Sequence, residues 1–136
     1  MAVNKGLFTS ARSDWATPQS FFDDLNAEFG FVLDVCATAQ SAKCKQFFTD
    51  SALDIPWYGP AFMNPPYGRE IGKWVEKAYT ESQRGVTVVC LLPSRTDTRW
   101  WHDYVMKASE IRFIKGRLHF DGHKAGAPFP SAVVVF

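Results

Sequence analysis

The stretch Ala61 to Trp74, AFMNPPYGREIGKW, carries the residues best suited to chemistry. An apolar run ends in Asn64; Pro65, Pro66 and Tyr67 follow, then a glycine and the start of an amphipathic segment. Consecutive prolines donate no backbone hydrogen bond and hold φ fixed, so the groups around them are rigidly placed. A polar amide, rigid carbonyls and an aromatic ring on one corner can grip a flat molecule by its amino group. The plainer alternative is a strand that stops at a proline turn, and structural context decides between them.

Other polar groups fall at comparable places. Asp34 sits in the apolar run FVLDVCA, with Cys36 just beyond it. Thr17 and Pro18, in DWATPQSFF, suit an N-cap and a first helical position. LLPSRTDTRWWH leaves a strongly apolar run with Ser94, Arg95, Thr96 and Asp97, and Asp97 or Thr96 can cap the following helix. Arg95 and Arg99 are placed to meet phosphates, Trp100 is a candidate exposed stacking group, and Trp101 reads as core.

These residues need elements to hold them. TPQSFFDDLNAEFG reads as a helix ended by Gly30, with Phe21, Phe22, Leu25 and Phe29 near helical spacing. EIGKWVEKAYTESQRG reads as a second, with Ile71, Trp74, Val75 and Ala78 inward and Gly85 closing it; DTRWWHDYVMKAS reads as a third. Strands are expected at FVLDVCA, KCKQFFT (weaker), AFMN, VTVVCLLP, EIRFIKG and SAVVVF. The unbroken run Val86–Leu92 is expected at the centre. Alternating strands and helices predict an α/β domain with a mostly parallel sheet and a terminal antiparallel strand. In such sheets ligands sit outside the C-terminal strand ends, where Asp34, Asn64 and Pro93 fall.

The totals set limits. A chain of 136 residues suits one domain, read here as residues 14–136 behind a polar, flexible arm at 1–13. Its 46% hydrophobic and 15% aromatic content supports a packed core. A net charge of +1 argues against a strongly basic nucleic-acid domain but leaves room for local basic patches. No apolar run approaches the roughly 20 residues of a membrane span, and no apolar signal core opens the chain. Cys90 reads as core; Cys36 and Cys44, and the pair His119 and His123, make an incomplete ligand set, so no metal is expected. Nothing points to an obligate protein partner.

Taken together, WATPQSFFDDL, FVLDVCAT, NPPYG, LLPSRTDTRWWH, IRFIKGRLHF and FPSAVVVF resemble the phage-type (Dam-type) DNA adenine-N6 methyltransferases, from about Trp15 to Phe136. The resemblance implies a compact, trimmed Rossmann-like fold and methyl transfer from S-adenosyl-L-methionine to adenine in double-stranded DNA, the adenine flipped out of the duplex. It also implies a phage- or prophage-encoded protein in the cytoplasm of a bacterial host. In that family Asn64, Pro65, Pro66 and Tyr67 would be catalytic. The target amino group is a poor nucleophile because its lone pair is delocalised into the ring; an Asn acceptor and the next carbonyl can hold both N–H bonds and favour a pyramidal nitrogen, while Tyr67 stacks on the base. Thr17, Asp34, Cys36, Asp54 and Asn64 would meet the cofactor, with Asp54 preferred over Asp50 because it directly precedes the Asn64 strand. Arg95, Arg99, Trp100 and Arg117 would face DNA, with Lys5, Arg12 and Lys124 adding to a phosphate-binding rim.

The chain departs from the pattern in two ways. The glycine-rich turn usual after the cofactor strand is replaced by CATAQSAKC, which has no glycine, and only about 30 residues separate Asp34 from Asn64. The corner itself also suits protein-glutamine or cytosine-N4 methylation, and a non-catalytic DNA-binding protein could keep the fold.

Overall fold

A computed structural model describes residues 15–136. The expected arm at 1–13, with Lys5 and Arg12, lies outside the described residues. Helix α1 spans Gln19–Phe29 and strand β1 Leu33–Asp34. A 3-10 turn at Asp50–Asp54 leads to β2, Ala61–Met63. Helix α2 is Ile71–Gln83, β3 Val88–Pro93 and α3 Arg99–Asp103. A second 3-10 turn, Val105–Lys107, precedes β4 at Glu110–Phe113, and β5 is Ser131–Val135.

The sheet order is β1-β2-β3-β5-β4. β1, β2 and β3 run parallel; β5 lies antiparallel to both β3 and β4. β3 is central and buried along its whole length, as expected of a run with no polar side chain. Gly59 enters β2 where a Cβ would stand 2.8 Å from the Thr87 carbonyl oxygen, so no larger residue fits this approach.

The apolar faces account for the helices. Phe22 and Leu25 of α1 are buried, and the Phe22 ring meets Phe62 of β2 edge-on at 5.1 Å. Gly30, at φ 66°, ends α1 in the left-handed conformation its missing Cβ permits. Ile71, Trp74, Val75 and Ala78 form the inner face of α2, and Glu81 shares it.

Four local expectations are corrected. Pro18, not Thr17, occupies the N-cap of α1, and the Thr17 hydroxyl is engaged elsewhere. KCKQFFT forms no strand: Phe47 makes one isolated bridge to Asp34, because a two-residue β1 is too short to carry a ladder. DTRWWHDYVMKAS is not one helix; it breaks at Tyr104, whose hydroxyl reaches Glu76 at 2.8 Å and whose ring packs on Tyr79 at 5.5 Å, so tertiary contacts override propensity. The cap of α3 is Thr98, whose hydroxyl accepts from the Trp101 N–H at 3.3 Å and donates to the Arg95 carbonyl at 2.7 Å; neither Asp97 nor Thr96 does so.

Candidate active site

The parallel strands end on one edge of the sheet. Leu33 and Asp34 of β1 pair with Ala61 and Phe62 of β2, and Met63 pairs with Cys90 of β3, so Asp34 and Asn64 leave neighbouring strands on the same side. Both line one cavity, together with Trp15, Ala16, Thr17, Cys36, Ser41, Lys43 and Phe62. A second cavity opens beside Ala37, Thr38, Thr49, Pro66 and Trp74, and shares Cys36, Ser41 and Asn64 with the first.

Asn64 is held in one orientation. Its Nδ2 donates to the Trp15 carbonyl oxygen and, at 2.9 Å, to the Thr17 hydroxyl. A carbonyl accepts only, so the NH₂ end must face Trp15 and Oδ1 must face away. Among the described residues Oδ1 is buried and has no hydrogen-bond partner. Such an orphan is costly unless something else supplies a donor.

Asp34, 3% exposed, closes the loop that follows it. Its carboxylate accepts from the Cys36 N–H at 3.3 Å and the Lys43 N–H at 3.0 Å. Burial pushes its pKa up to about 6, against those two hydrogen bonds and the Lys43 charge. Thr38 and Ser41 cap each other, with the Thr38 N–H donating to Ser41 Oγ at 2.9 Å and the Ser41 N–H to Thr38 Oγ1 at 3.2 Å. Among the described residues no non-glycine residue has a positive φ, so this glycine-free turn needs no left-handed backbone.

Tyr67 is placed differently from a ring held open for stacking. It is 3% exposed, its edges meet Phe129 at 5.5 Å and Phe120 at 6.3 Å, and its hydroxyl donates to the Leu91 carbonyl at 2.8 Å. Trp15 covers the same wall, edge-on to Phe129 at 5.1 Å and stacked on His123 at 4.2 Å. Arg95 is half-buried, and its Nη1 donates to the Tyr67 carbonyl at 3.1 Å.

The other expected residues divide. Thr17, Asp34, Cys36 and Asn64 meet at the first cavity, but Asp54 does not: it is exposed and lines a separate hollow with Leu53, Lys73, Glu76, Lys77 and Thr80. The 3-10 turn carries it away from the strand ends. Arg99 and Arg117 are exposed; Trp100 is half-buried and lies against Gly72. Lys43, Ser41 and the Trp15 carbonyl were not singled out from sequence, and neither a lone lysine nor a backbone group carries a motif by which to find it.

A family model for DNA N-6-adenine-methyltransferase (Dam) matches residues 6–132. The chain belongs to this Dam family. It is 34% identical over 133 residues to the DNA N-6-adenine-methyltransferase of Haemophilus phage HP1, covering 93% of this chain and 76% of that protein. It is also 41% identical over 63 residues to the protein YfdM of Escherichia coli K12, covering 39% of this chain and 69% of that protein. Of the readings the corner left open, membership in this family selects the adenine N6 amino group of DNA. A methyl donor is implied by the class. Among the described residues no helix is long and apolar enough to cross a membrane.

Proposed function

We propose that the chain transfers a methyl group from S-adenosyl-L-methionine to the N6 amino group of an adenine flipped out of double-stranded DNA, on a compact, trimmed Rossmann-like domain. The observation that carries this reading is the buried Oδ1 of Asn64, unpartnered among the described residues, an acceptor whose own NH₂ is already spent on Trp15 and Thr17. The lining of the first cavity supports it as the place of the donor's amino-acid end. Asp34 and Lys43 place one carboxyl group and one ammonium there, which suits the zwitterionic end of an amino acid, and Cys36 and Ser41 lie beside them. When bound, the cofactor supplies an electrophilic methyl group on sulfur.

Flipping the base costs a few kcal/mol of stacking and pairing. Asn64 Oδ1 and the Pro65 carbonyl then accept the two N6–H bonds and favour a pyramidal nitrogen with its lone pair free to attack. Both groups are acceptors rather than bases, so the proton leaves only after transfer, when the nitrogen is cationic. Tyr67, packed against Phe120 and Phe129 and hydrogen-bonded to Leu91, braces the corner that carries these acceptors. Arg99, Trp100 and Arg117 contact DNA from the rim.

Tritiated methyl transfer to unmethylated DNA, followed by nucleoside analysis, tests the reading. Label in N6-methyladenine supports it; label in N4-methylcytosine, or only in protein, refutes it. Asn64→Ala should abolish turnover while S-adenosylmethionine still binds by calorimetry.

A further inference from the structure

We infer that Thr17 is a positioning residue for the methyl-transfer step: its hydroxyl and the Trp15 carbonyl together fix the Asn64 amide so that Oδ1, and not Nδ2, is presented to the target amino group. This rests on the proposed function above, and assigns Thr17 a role that acts through Asn64.

The geometry is specific. An Asn side chain can turn over at little cost when its neighbours are ambivalent. Here one neighbour is not. The Trp15 carbonyl can only accept, and it takes one N–H of Nδ2; the Thr17 hydroxyl, at 2.9 Å, takes the other. Rotation about the Cβ–Cγ bond would give up the bond to Trp15 and set Oδ1 against its oxygen, and the Thr17 hydroxyl would have to turn from acceptor to donor. Thr17 is 3% exposed, so water does not replace its hydroxyl readily. It is free for this task because the helix that starts beside it is capped at Pro18 with no side-chain bond from Thr17.

The orientation matters to catalysis. A donor aimed at the adenine amino group would repel it, and a loosely held acceptor would let the nitrogen relax toward its planar, unreactive form. Small misplacements of a reacting group can cost on the order of 100-fold in rate. The Trp15–Thr17 stretch that lines the cavity therefore also sets the polarity of its central acceptor.

Thr17→Val keeps the shape and removes the hydroxyl; Thr17→Ala does so with less bulk; Thr17→Ser restores it. Two readouts are taken on each. In steady-state methylation of DNA, Thr17→Val and Thr17→Ala should lower kcat about 10- to 100-fold, with S-adenosylmethionine affinity within about three-fold of the parent by calorimetry, and Thr17→Ser should recover most of the rate. In NMR of the uncomplexed protein, the Asn64 side-chain NH₂ pair, assigned by its loss in Asn64→Ala, should exchange slowly in the parent and in Thr17→Ser and faster in Thr17→Val and Thr17→Ala. A Thr17→Val or Thr17→Ala protein with parent kcat overturns the inference, and so does loss of cofactor affinity in step with kcat, which would make Thr17 a cofactor contact. Should the parent methylate no DNA, the proposed function fails by itself, and the NMR comparison still decides whether Thr17 holds Asn64: unchanged NH₂ exchange in both hydroxyl-free variants overturns it.

Discussion

The hydroxyl of Tyr67 donates to the carbonyl oxygen of Leu91 at 2.8 Å, tying the proline corner to the central strand β3. Stacking alone would need only the ring, and Tyr67→Phe would then be silent. The structure predicts otherwise. Tyr67→Phe removes a buried hydrogen bond worth about 1 kcal/mol, and Tyr67→Ala also opens a cavity, at about 3–5 kcal/mol. Urea denaturation measures both. A Tyr67→Phe midpoint equal to the parent's would mean that the bond to Leu91 contributes nothing.

Arg95 separates from the other basic candidates because it is half-buried and its Nη1 donates to the Tyr67 carbonyl of the proline corner at 3.1 Å, whereas Arg99 and Arg117 are exposed and Arg117 Nη1 reaches the Ala127 carbonyl at 3.3 Å, away from the corner. Arg99→Ala and Arg117→Ala should raise KM for DNA with kcat preserved, each flattening the logarithmic salt dependence by about one unit if the side chain meets a phosphate. Arg95→Ala should instead lower kcat, because the corner loses its brace. Methylation kinetics across a salt series would distinguish them, and equal behaviour of all three would remove the brace from the account.

Asp34 gives a pH dependence whose sign is set by burial. Its pKa rises from 3.8 to about 6 on folding, so the native state holds this proton more tightly than the unfolded chain. The contribution is fully present below about pH 4 and is lost as pH rises through about 6. Relative to Asp34→Asn, the parent should therefore lose stability across that window, on the order of 1–3 kcal/mol. Asp34→Asn also costs one of two N–H acceptors, since its NH₂ must face either Cys36 or Lys43. Melting temperatures of both proteins from pH 4 to 7 test this; parallel curves would show that Asp34 titrates normally.

What could be read from the sequence follows what is periodic or covalently restrained. The β-branched run at β3 and the stripe Ile71, Trp74, Val75, Ala78 state their burial in residue type and spacing, and the prolines state a rigid corner. Asp34 and Asn64 could be placed at strand ends because strands bury apolar runs and release polar residues at the edge. Asp54 lies in a separate hollow from Asn64, because proximity in sequence to β2 does not reveal that a 3-10 turn faces it outward. Thr17 looked like a cap because residue type does not show that Asn64, 47 residues away, makes the stronger claim on its hydroxyl. Non-local hydrogen bonds have no period, and the site depends on them.

Glu81 makes the same point and gives a prediction opposite in sign to Asp34. It occupies the inner stripe of α2, 3% exposed, and accepts from the Trp57 N–H at 2.7 Å, from Arg84, and from Lys77 at 3.1 Å. Burial alone would raise its pKa, but the hydrogen bonds from Arg84, Trp57 and Lys77 outweigh it and hold the group at about 2, below the usual 4.5. A lowered carboxylate stabilises the fold above its unfolded pKa, and that contribution is lost as pH falls from about 4.5 toward 2. Glu81→Gln keeps the shape and one acceptor but removes the charge, so it should cost about 1–3 kcal/mol near neutrality and melt with a shallower acid limb than the parent. The two acids differ in what opposes burial: Asp34 has two backbone N–H groups and one nearby cation, whereas Glu81 adds direct side-chain bonds from two cations. Thermal unfolding of parent and Glu81→Gln between pH 2 and 5 decides the matter, and an unchanged acid limb would show that Arg84 and Lys77 do not hold this carboxylate ionised.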